Sequence, residues 1–296
     1  MGHEANSEEN KIMKMSLSEK LTYSTVLIRC KYADGTIGSG TGFIINLCQN
    51  DETRTCVPVI ITNNHVVENS IETQFEFCLQ DEEGNPIDNK SFSITYKDNA
   101  WIQHPDKAID LRCLLVANVL RELEKRHVKV FYIPLEVSLI AKTEQLESLS
   151  AMEDVIMIGY PTGLSDKYNH KPIIRKGITA THLKKNYQGK KEFLVDIACF
   201  PGSSGSPIFI LNEGAYHIGN DLYAGSRIIF VGVLYGGPQY SAAGDFVLMN
   251  LPNMPQPRSL TQIPMNLGVA IKAELILAFE EKLSNQKQKN GEQNNE

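Results

Sequence analysis

Short apolar runs recur along most of the chain, and glycine, proline or polar turn residues separate them. β-Branched and aromatic residues are enriched in segments 22–32, 39–47 and 57–62, a composition typical of β-strands. The same pattern predicts further strands at 73–79, 91–96, 111–116, 128–133, 154–159, 173–180, 193–197, 206–211, 228–234 and 267–271. Many short strands with few helices favour an all-β fold, as a sandwich or a pair of barrels.

Two segments carry a helical spacing of apolar residues instead. One covers residues 117–127, and the other covers 272–285, where Leu275, Phe279 and Leu283 recur every four residues. The second helix is predicted to pack against the domain as its C-terminal element.

Polar segments flank the predicted strands and helices. Residues 1–21 contain a stretch rich in Glu, Asn, Ser and Lys, and residues 286–296 are almost entirely Asn, Gln, Lys, Gly and Glu. Such segments bury too little apolar surface to repay the entropy lost on ordering. They are predicted to be flexible tails on either side of a domain at 22–285.

One long stretch inside the predicted domain lacks a regular pattern. Residues 236–264 carry five prolines, namely Pro238, Pro252, Pro255, Pro257 and Pro264. A loop of this length in a compact domain is usually functional or mobile, and the alternative is a surface insertion without a function.

Composition and charge exclude several classes of protein. The formal net charge is −6, and no Lys/Arg cluster is interleaved with aromatic residues, so nucleic acid is not an expected partner. No apolar run reaches membrane-spanning length, and the N-terminus lacks the apolar core of a signal peptide. The six cysteines lack CxxC spacing, and Cys48 and Cys56 would pair only in an oxidising compartment. We therefore expect a cytoplasmic protein with reduced thiols and without a metal or cofactor.

The candidate chemistry centres on the heptad Pro-Gly-Ser-Ser-Gly-Ser-Pro at 201–207. Ser204 is the candidate nucleophile because Gly202 and Gly205 flank it. Gly202 permits a tight turn that directs its own N–H and that of Ser204 into one pocket, where they would stabilise an oxyanion. Taken alone, a serine between glycines is more often part of a turn than a nucleophile.

A base and an orienting group precede this serine. His65 follows the apolar segment 57–61, at a predicted strand end where its side chain would face a cleft. Asp110 lies between apolar neighbours, and if buried it needs a hydrogen-bond partner, a role that the imidazole of His65 would fill. Asp106 is the alternative, although its neighbours Pro105 and Lys107 indicate an exposed turn. The order His, Asp, Ser is that of the chymotrypsin class.

The segments Thr-Asn-Asn-His65-Val-Val, Ile-Asp110-Leu and Pro-Gly-Ser-Ser204-Gly-Ser-Pro resemble those of trypsin-like serine peptidases, nearest to the HtrA/Deg-type branch. The resemblance covers roughly residues 22–285. It implies two six-stranded antiparallel β-barrels, at about 22–125 and 126–271, followed by a C-terminal helix. It also implies an endopeptidase that acts on protein or peptide substrates.

The resemblance assigns substrate-binding roles to further residues. Ala198 would form the base of the primary specificity pocket, and Gly268 and Ala270 would line its opposite wall. The segment 233–236 would pair with the substrate backbone, through Leu234, Tyr235 and Gly236. The loop at 236–264 directly follows this segment, so we expect it to gate or shape the cleft.

An alanine at the base of the pocket predicts cleavage after small or medium apolar residues, because an unpaired substrate charge in an apolar pocket is costly. The alternative is a glutamyl specificity, for which His217 or Thr261 would supply the polar lining.

Three departures from the family bear on regulation. Ser203 stands where trypsin-type zymogens carry an aspartate, so activation by N-terminal cleavage is not expected. Val66 replaces a disulfide cysteine of the family. The chain is also expected to end before the PDZ domain that HtrA proteins carry. Because a cytoplasmic peptidase that is always active would be hazardous, we expect control by a protein partner, by an oligomer or by ordering of the oxyanion loop. Two further functions stay open: a peptide-binding module without turnover, and a serine esterase or self-processing hydrolase.

Overall fold

The structure is a computed structural model that describes residues 14–284, apart from 51, 98–99, 220 and 246–257. Its α-helices are α1 (Leu17–Thr22), α2 (Asn64–Val67), α3 (Val116–Glu124), α4 (Thr143–Ser148) and α5 (278–284). A 3₁₀ turn at Ala273–Leu277 leads into α5. Helix α3 lies in the segment 117–127 where a helix was predicted. The 3₁₀ turn and α5 together occupy the segment predicted as a helix at 272–285.

The N-terminal half forms one nine-stranded sheet, hereafter the N-terminal sheet, in the order β5-β4-β1-β2-β3-β7-β6, with β8 on β4 and β9 on β2. Its strands are β1 (Thr25–Tyr32), β2 (Ile37–Asn50), β3 (Thr55–Thr62), β4 (Ser70–Gln80), β5 (Pro86–Tyr96), β6 (Ile102–Gln103), β7 (Arg112–Leu115), β8 (Val130–Phe131) and β9 (Leu135–Glu136). The sequence predicted a closed six-stranded barrel here. The observed sheet has additional short strands and a long β4–β5 hairpin at one edge.

The C-terminal half contains a closed barrel, hereafter the C-terminal barrel, in the order β10-β11-β12-β19-β16-β13. The strands of this half are β10 (Asp154–Gly159), β11 (Ile173–Thr179), β12 (Glu192–Asp196), β13 (Pro207–Asn212), β14 (Ala215–Ile218), β15 (Asp221–Ala224), β16 (Arg227–Gly236), β17 (Gln239–Asp245), β18 (Arg258–Pro264) and β19 (Leu267–Lys272). The pairs β14–β15 and β17–β18 are separate hairpins. The predicted all-β, chymotrypsin-like architecture with a C-terminal helix is therefore confirmed.

The structure moves two predicted boundaries. Part of the predicted N-terminal tail is helical, because the Ser16 hydroxyl accepts a hydrogen bond from the Glu19 N–H at 3.2 Å and caps α1. Leu21 of this helix is buried. The predicted division at residue 125 also falls inside the N-terminal sheet, since β8 and β9 still pair with it. Residues 1–13 and 285–296, and with them the predicted C-terminal tail, lie outside the described residues.

A single apolar core joins the two halves. The Phe43 ring of β2 contacts the Phe230 ring of β16 at 5.3 Å between centroids, and Phe209 of β13 lies 5.2 Å from Phe230. All three side chains are fully buried. Because both halves contribute to this core, they pack as one unit along the junction where the candidate residues meet.

The C-terminal helix packs against the same core. Phe279 and Leu283 are buried in it, and the Phe279 ring meets the imidazole of His104 edge to face at 5.3 Å. The Nε2 atom of His104 lies 2.9 Å from the carbonyl oxygen of Leu275. The buried histidine thus anchors the helix.

The proline-rich stretch predicted as one irregular loop contains the β17–β18 hairpin, with residues 246–257 outside the described part of the chain. Among the described residues, none of the helices is long and apolar enough to cross a membrane.

Candidate active site

His65 and Asp110 form a close pair on the N-terminal sheet. Residue 65 lies in the short helix α2 that directly follows β3, and residue 110 directly precedes Leu111 and β7, the neighbour of β3. The Nδ1 atom of His65 lies 2.6 Å from the Oδ2 atom of Asp110. The backbone N–H of His65 donates to the other carboxylate oxygen at 3.0 Å. Both the ring and the backbone of the histidine are therefore fixed by one carboxylate.

This pairing determines the chemistry available at the imidazole. An ionised carboxylate can only accept, so the proton of the neutral ring lies on Nδ1 and the lone pair on Nε2. The His65 side chain is 47% exposed, against 24% for Asp110. The carboxylate is thus the more sheltered partner. Asp106, the alternative, is exposed and accepts the Ala108 N–H at 2.9 Å within its own turn.

The heptad that carries Ser204 folds as two consecutive tight turns. In the first, Ser203 N–H donates to Phe200 O at 3.0 Å. Pro201 and Gly202 occupy its central positions, and Gly202 has φ +85°. A proline at the second position of a turn and a positive φ at the third are the arrangement of a type II turn, which favours glycine at the third position.

The second turn carries the candidate nucleophile. The N–H of Ser206 donates to the carbonyl oxygen of Ser203 at 3.0 Å, and Gly205 between them has φ +87°. A Cβ on Gly205 would lie 1.9 Å from the carbonyl oxygen of Thr41, so only glycine fits. Ser204 therefore projects from a turn whose two glycines are both required by the backbone.

The first of the two predicted oxyanion donors is the N–H of Gly202, and a hydrogen bond on the opposite side of its peptide fixes its direction. The carbonyl oxygen of Pro201 accepts the backbone N–H of Thr162 at 2.5 Å. In a trans peptide the C=O and the following N–H point in opposite directions, so the N–H of Gly202 points away from Thr162. Within the part of the chain that the structure describes, this N–H has no hydrogen-bond acceptor.

The second predicted donor is the N–H of Ser204, and a hydrogen bond on the opposite side of its peptide fixes its direction too. The carbonyl oxygen of Ser203 is held by Ser206, so the N–H of Ser204 in the same peptide points the opposite way. It too lacks an acceptor among the described residues. Two unpaired N–H groups that are two residues apart in one rigid turn are available to bind an anionic oxygen.

The Ser204 hydroxyl makes a hydrogen bond to β16. It donates to the carbonyl oxygen of Tyr235 at 3.4 Å. Although the structure describes both Ser204 and His65, their side chains make no hydrogen bond to each other. Burial, followed by the nearby Glu192 carboxylate, raises the pKa of the Tyr235 phenol to about 12. The phenol therefore stays protonated at neutral pH.

A cavity of about 140 Å³ opens beside Ser204. Its described lining consists of Ser204 and the residues Cys199, Phe200, Pro201, Leu234, Gly236, Gly237, Pro238 and Leu267. No charged side chain is among these lining residues. Burial raises the pKa of the Cys199 thiol to about 11, so this side chain also stays neutral. The cavity suits a small or medium apolar group.

The predicted substrate-binding residues divide into two groups. Leu234 and Gly236 line the cavity, whereas Ala198, Tyr235, Gly268 and Ala270 are not among its described lining residues. The carbonyl of Ala198 instead accepts a hydrogen bond from Arg175. Ala270 is fully buried in the core of the C-terminal barrel. A Cβ on Gly268 would lie 2.7 Å from the Cys199 sulfur, directly behind the cavity wall.

Sequence reasoning missed Cys199 and Leu267 as cavity residues. Cys199 directly follows Ala198, so only the strand and turn geometry decides which of the two faces the cavity. His217, considered for a glutamyl specificity, lies on the β14–β15 hairpin and outside the described cavity lining. The side chain of Thr261 is outside the described part of the chain. No group of three or more potential metal ligands is present among the described residues.

Several solved protease structures are similar to this chain. A serine endoprotease from Yersinia pestis is 14% identical over 88% of this chain and 63% of that structure, with a TM-score of 0.43. The HtrA-type protease AlgW, solved with a tripeptide, is 13% identical over 91% of this chain and 60% of its own, with a TM-score of 0.45. A protease from M. tuberculosis in its active form is 16% identical over 86% and 78% of the two chains, with a TM-score of 0.42.

A comparison with curated proteins found no match. The trypsin-like peptidase domain family matches residues 40–216, more than half of the chain and a span that contains His65, Asp110 and Ser204. The predicted resemblance is confirmed, and the chain belongs to the trypsin-like peptidase family, whose members are serine endopeptidases.

Proposed function

We propose that His65, Asp110 and Ser204 are the catalytic triad with which this peptidase cleaves protein or peptide substrates. The observation that carries the proposal is the pair of hydrogen bonds that Asp110 accepts from the ring and the backbone of His65, at 2.6 and 3.0 Å. It leaves Nε2 of the imidazole as the free basic atom. A solvated surface pair has no need of this two-point attachment.

In the proposed reaction, Ser204 Oγ attacks the scissile carbonyl carbon while its proton moves to Nε2 of His65. The carbonyl oxygen becomes an oxyanion and accepts hydrogen bonds from the N–H groups of Gly202 and Ser204. Collapse breaks the C–N bond, and His65 returns the proton to the leaving amine. Water, deprotonated by His65, then hydrolyses the acyl-enzyme and regenerates Ser204. Asp110 stays ionised throughout and stabilises the imidazolium.

The cavity beside Ser204 is the proposed primary specificity pocket. Its described lining is apolar apart from a neutral thiol and a hydroxyl, so a substrate Lys, Arg or Glu would lose hydration without gaining a partner. We infer cleavage after small or medium apolar residues.

Active-site labelling tests the proposal. A fluorophosphonate probe is expected to label the wild-type protein, and the labelled peptide to contain Ser204. Ser204→Ala should abolish labelling and lower kcat on a casein or peptide-library substrate by several powers of ten. Ser203→Ala is the matched control in the same turn and should keep the label. A fully active Ser204→Ala variant would exclude the assigned nucleophile.

One observation favours a second candidate function, a latent form of the same enzyme that a protein partner switches on. The Ser204 hydroxyl donates a hydrogen bond to the Tyr235 carbonyl and not to His65. Catalytic hydrogen bonds are often loose in a free enzyme, so binding of a substrate or partner would complete this contact. A wild-type protein that stays unlabelled alone but is labelled with a bound peptide would identify the latent form.

A further inference from the structure

Thr41 of β2 makes an unusual set of contacts across the junction between the two halves. It is fully buried. Its hydroxyl donates to the carbonyl oxygen of Gly202 at 3.0 Å and accepts the backbone N–H of Tyr160 at 3.0 Å. Its own N–H donates to the carbonyl oxygen of Ser204 at 2.9 Å. One residue of the N-terminal sheet thus binds two peptide carbonyls of the turn that carries the candidate nucleophile.

These contacts fix the parts of the turn that its own hydrogen bonds leave free. The Pro201 carbonyl is held by Thr162, and the Ser203 carbonyl by Ser206. Thr41 holds the carbonyls of Gly202 and Ser204, each of which follows one of these two residues. Successive carbonyls of the turn are therefore all anchored, with two of the four anchors supplied by a single side chain and its backbone.

The hydroxyl of Thr41 lies in a tightly packed part of the interior. A Cβ on Gly159 would lie 2.7 Å from the Thr41 hydroxyl oxygen and 2.0 Å from that of Ser206. A hydroxyl has one proton, and here it is directed to Gly202 because the Tyr160 N–H already donates to the oxygen. Removal of the hydroxyl would leave a buried C=O and a buried N–H unpaired.

We propose that Thr41 is a positioning residue for the oxyanion site, which acts through the Gly202–Ser204 turn without touching the substrate. The inference rests on the proposed function, because it assigns the N–H groups of this turn to the oxyanion. Loss of the hydroxyl would free the Gly202–Ser203 peptide, whose carbonyl it holds, to rotate. Because this peptide lies between the Pro201–Gly202 and Ser203–Ser204 peptides, its rotation would misalign the N–H groups of Gly202 and Ser204 that stabilise charge in the transition state. The effect should therefore fall on kcat and spare KM.

The chain offers a matched control for a merely structural role. Thr179 of β11 is buried, and its hydroxyl also donates to a carbonyl, that of Ala151 at 3.1 Å, and accepts an N–H, that of Glu153 at 2.9 Å. These partners lie outside the candidate active site. Like Thr41→Val, Thr179→Val thus removes one hydrogen bond to a carbonyl and one from an N–H in the interior of the protein.

The experiment measures kcat, KM and the free energy of unfolding in urea for wild type, Thr41→Val, Thr41→Ser and Thr179→Val. Since removal of one oxyanion donor lowers kcat by about 100- to 1000-fold, we expect a displaced donor in Thr41→Val to lower it by about 10- to 100-fold with KM nearly unchanged. Thr41→Ser retains the hydroxyl and should recover most of kcat. Thr179→Val should be destabilised like Thr41→Val but keep wild-type kcat.

Wild-type kcat in folded Thr41→Val, or no recovery in Thr41→Ser, would overturn the inference. So would an equal loss of kcat in Thr179→Val. If Thr41→Val does not fold, Thr41→Ala, which removes the hydroxyl without adding volume, is judged by the same criteria. A wild-type protein that lacks turnover and fluorophosphonate labelling both alone and with a bound peptide would instead refute the proposed function, and this inference with it.

Discussion

The backbone N–H of Thr162 lies 2.5 Å from the carbonyl oxygen of Pro201. Thr162 adopts φ +52° and ψ +26°, the left-handed region that β-branched residues rarely enter. This backbone strain is located where the segment after β10 meets the turn of the candidate nucleophile. Strain at such a position is typical of functional sites, where the surrounding structure holds it. In this structure the strained conformation of Thr162 directs its N–H to the peptide that joins Pro201 and Gly202.

The first prediction concerns Gly202. A Cβ at this position would lie 2.7 Å from the carbonyl oxygen of Tyr160, and φ +85° is unfavourable for alanine. Gly202→Ala should therefore displace the turn and lower kcat by about 100-fold or more, the loss expected for one oxyanion donor. Steady-state kinetics on an apolar peptide substrate would measure it.

Gly214 is the matched control for that substitution. It has φ +90°, but a Cβ there meets nothing within 4 Å. Gly214→Ala carries the same torsional cost of about 1 kcal/mol without a clash, so its activity should match the wild type. Equal activity of the two variants would contradict the assigned role of the turn.

The second prediction separates the two aspartates. Asp110→Asn should lower kcat by about 10⁴-fold, because the amide of the new side chain donates to Nδ1 and places the imidazole proton on Nε2. Nε2 then cannot accept the proton of the Ser204 hydroxyl. Asp106→Asn changes an exposed turn and should leave kcat unchanged. Kinetics at pH 8, with thermal unfolding as a check on the fold, would distinguish them. An active Asp110→Asn variant would require a different orienting residue.

The third prediction concerns substrate size. Leu267 lines the cavity of about 140 Å³ beside Ser204. Leu267→Ala should enlarge it and raise kcat/KM for substrates cleaved after Leu or Phe, relative to those cleaved after Ala, by about tenfold. Leu222→Ala, on the exposed β15 strand, is the control and should leave this ratio unchanged. A peptide library with varied residues before the scissile bond gives the ratio. A wild-type preference for Lys, Arg or Glu would refute the apolar pocket.

The fourth prediction concerns stability in acid. Burial raises the pKa of Glu76, but hydrogen bonds from His170, Arg29 and Ser91 outweigh it and leave the pKa lowered. A pKa that is lower in the folded than in the unfolded state stabilises the protein at neutral pH. That contribution is lost as the pH falls from about 5 through the folded-state pKa.

Glu76→Gln should therefore lower the free energy of unfolding at pH 7 more than at pH 4. Urea titrations at the two values measure this difference. Glu72→Gln removes an ion pair whose lysine, Lys97, is 75% exposed, so its effect should be small at both pH values. A pH-independent effect of Glu76→Gln would show that the carboxylate charge contributes nothing.

The sequence predicted the elements whose signals are local. The β-branched and aromatic residues of β1 to β3, the four-residue spacing in the terminal helix and the paired glycines around Ser204 are all signals carried by neighbouring residues. Their positions agree with the structure. The missed helix α1 carries its own local signal, since Ser16 and Glu19 form a capping box within residues assigned to a polar tail.

Features that depend on packing were not predictable in this way. The N-terminal sheet has nine strands because short segments such as β9 add to strands far away in the chain, and the local pattern of β9 is too brief to be recognised. The cavity lining by Cys199 in place of Ala198 depends on one residue of register. The role proposed for Thr41 depends on contacts with residues about 120 to 160 positions later.

The sequence by itself determined the family, the all-β architecture and the candidate residues His65, Asp110 and Ser204, because side-chain chemistry and the glycine requirement of a turn are written in short segments. The tertiary structure decided the pairing of Asp110 with His65, the direction of the free N–H groups and the shape of the cavity. These properties are set by distances between groups from different strands, which are fixed only when the two halves pack around their common core.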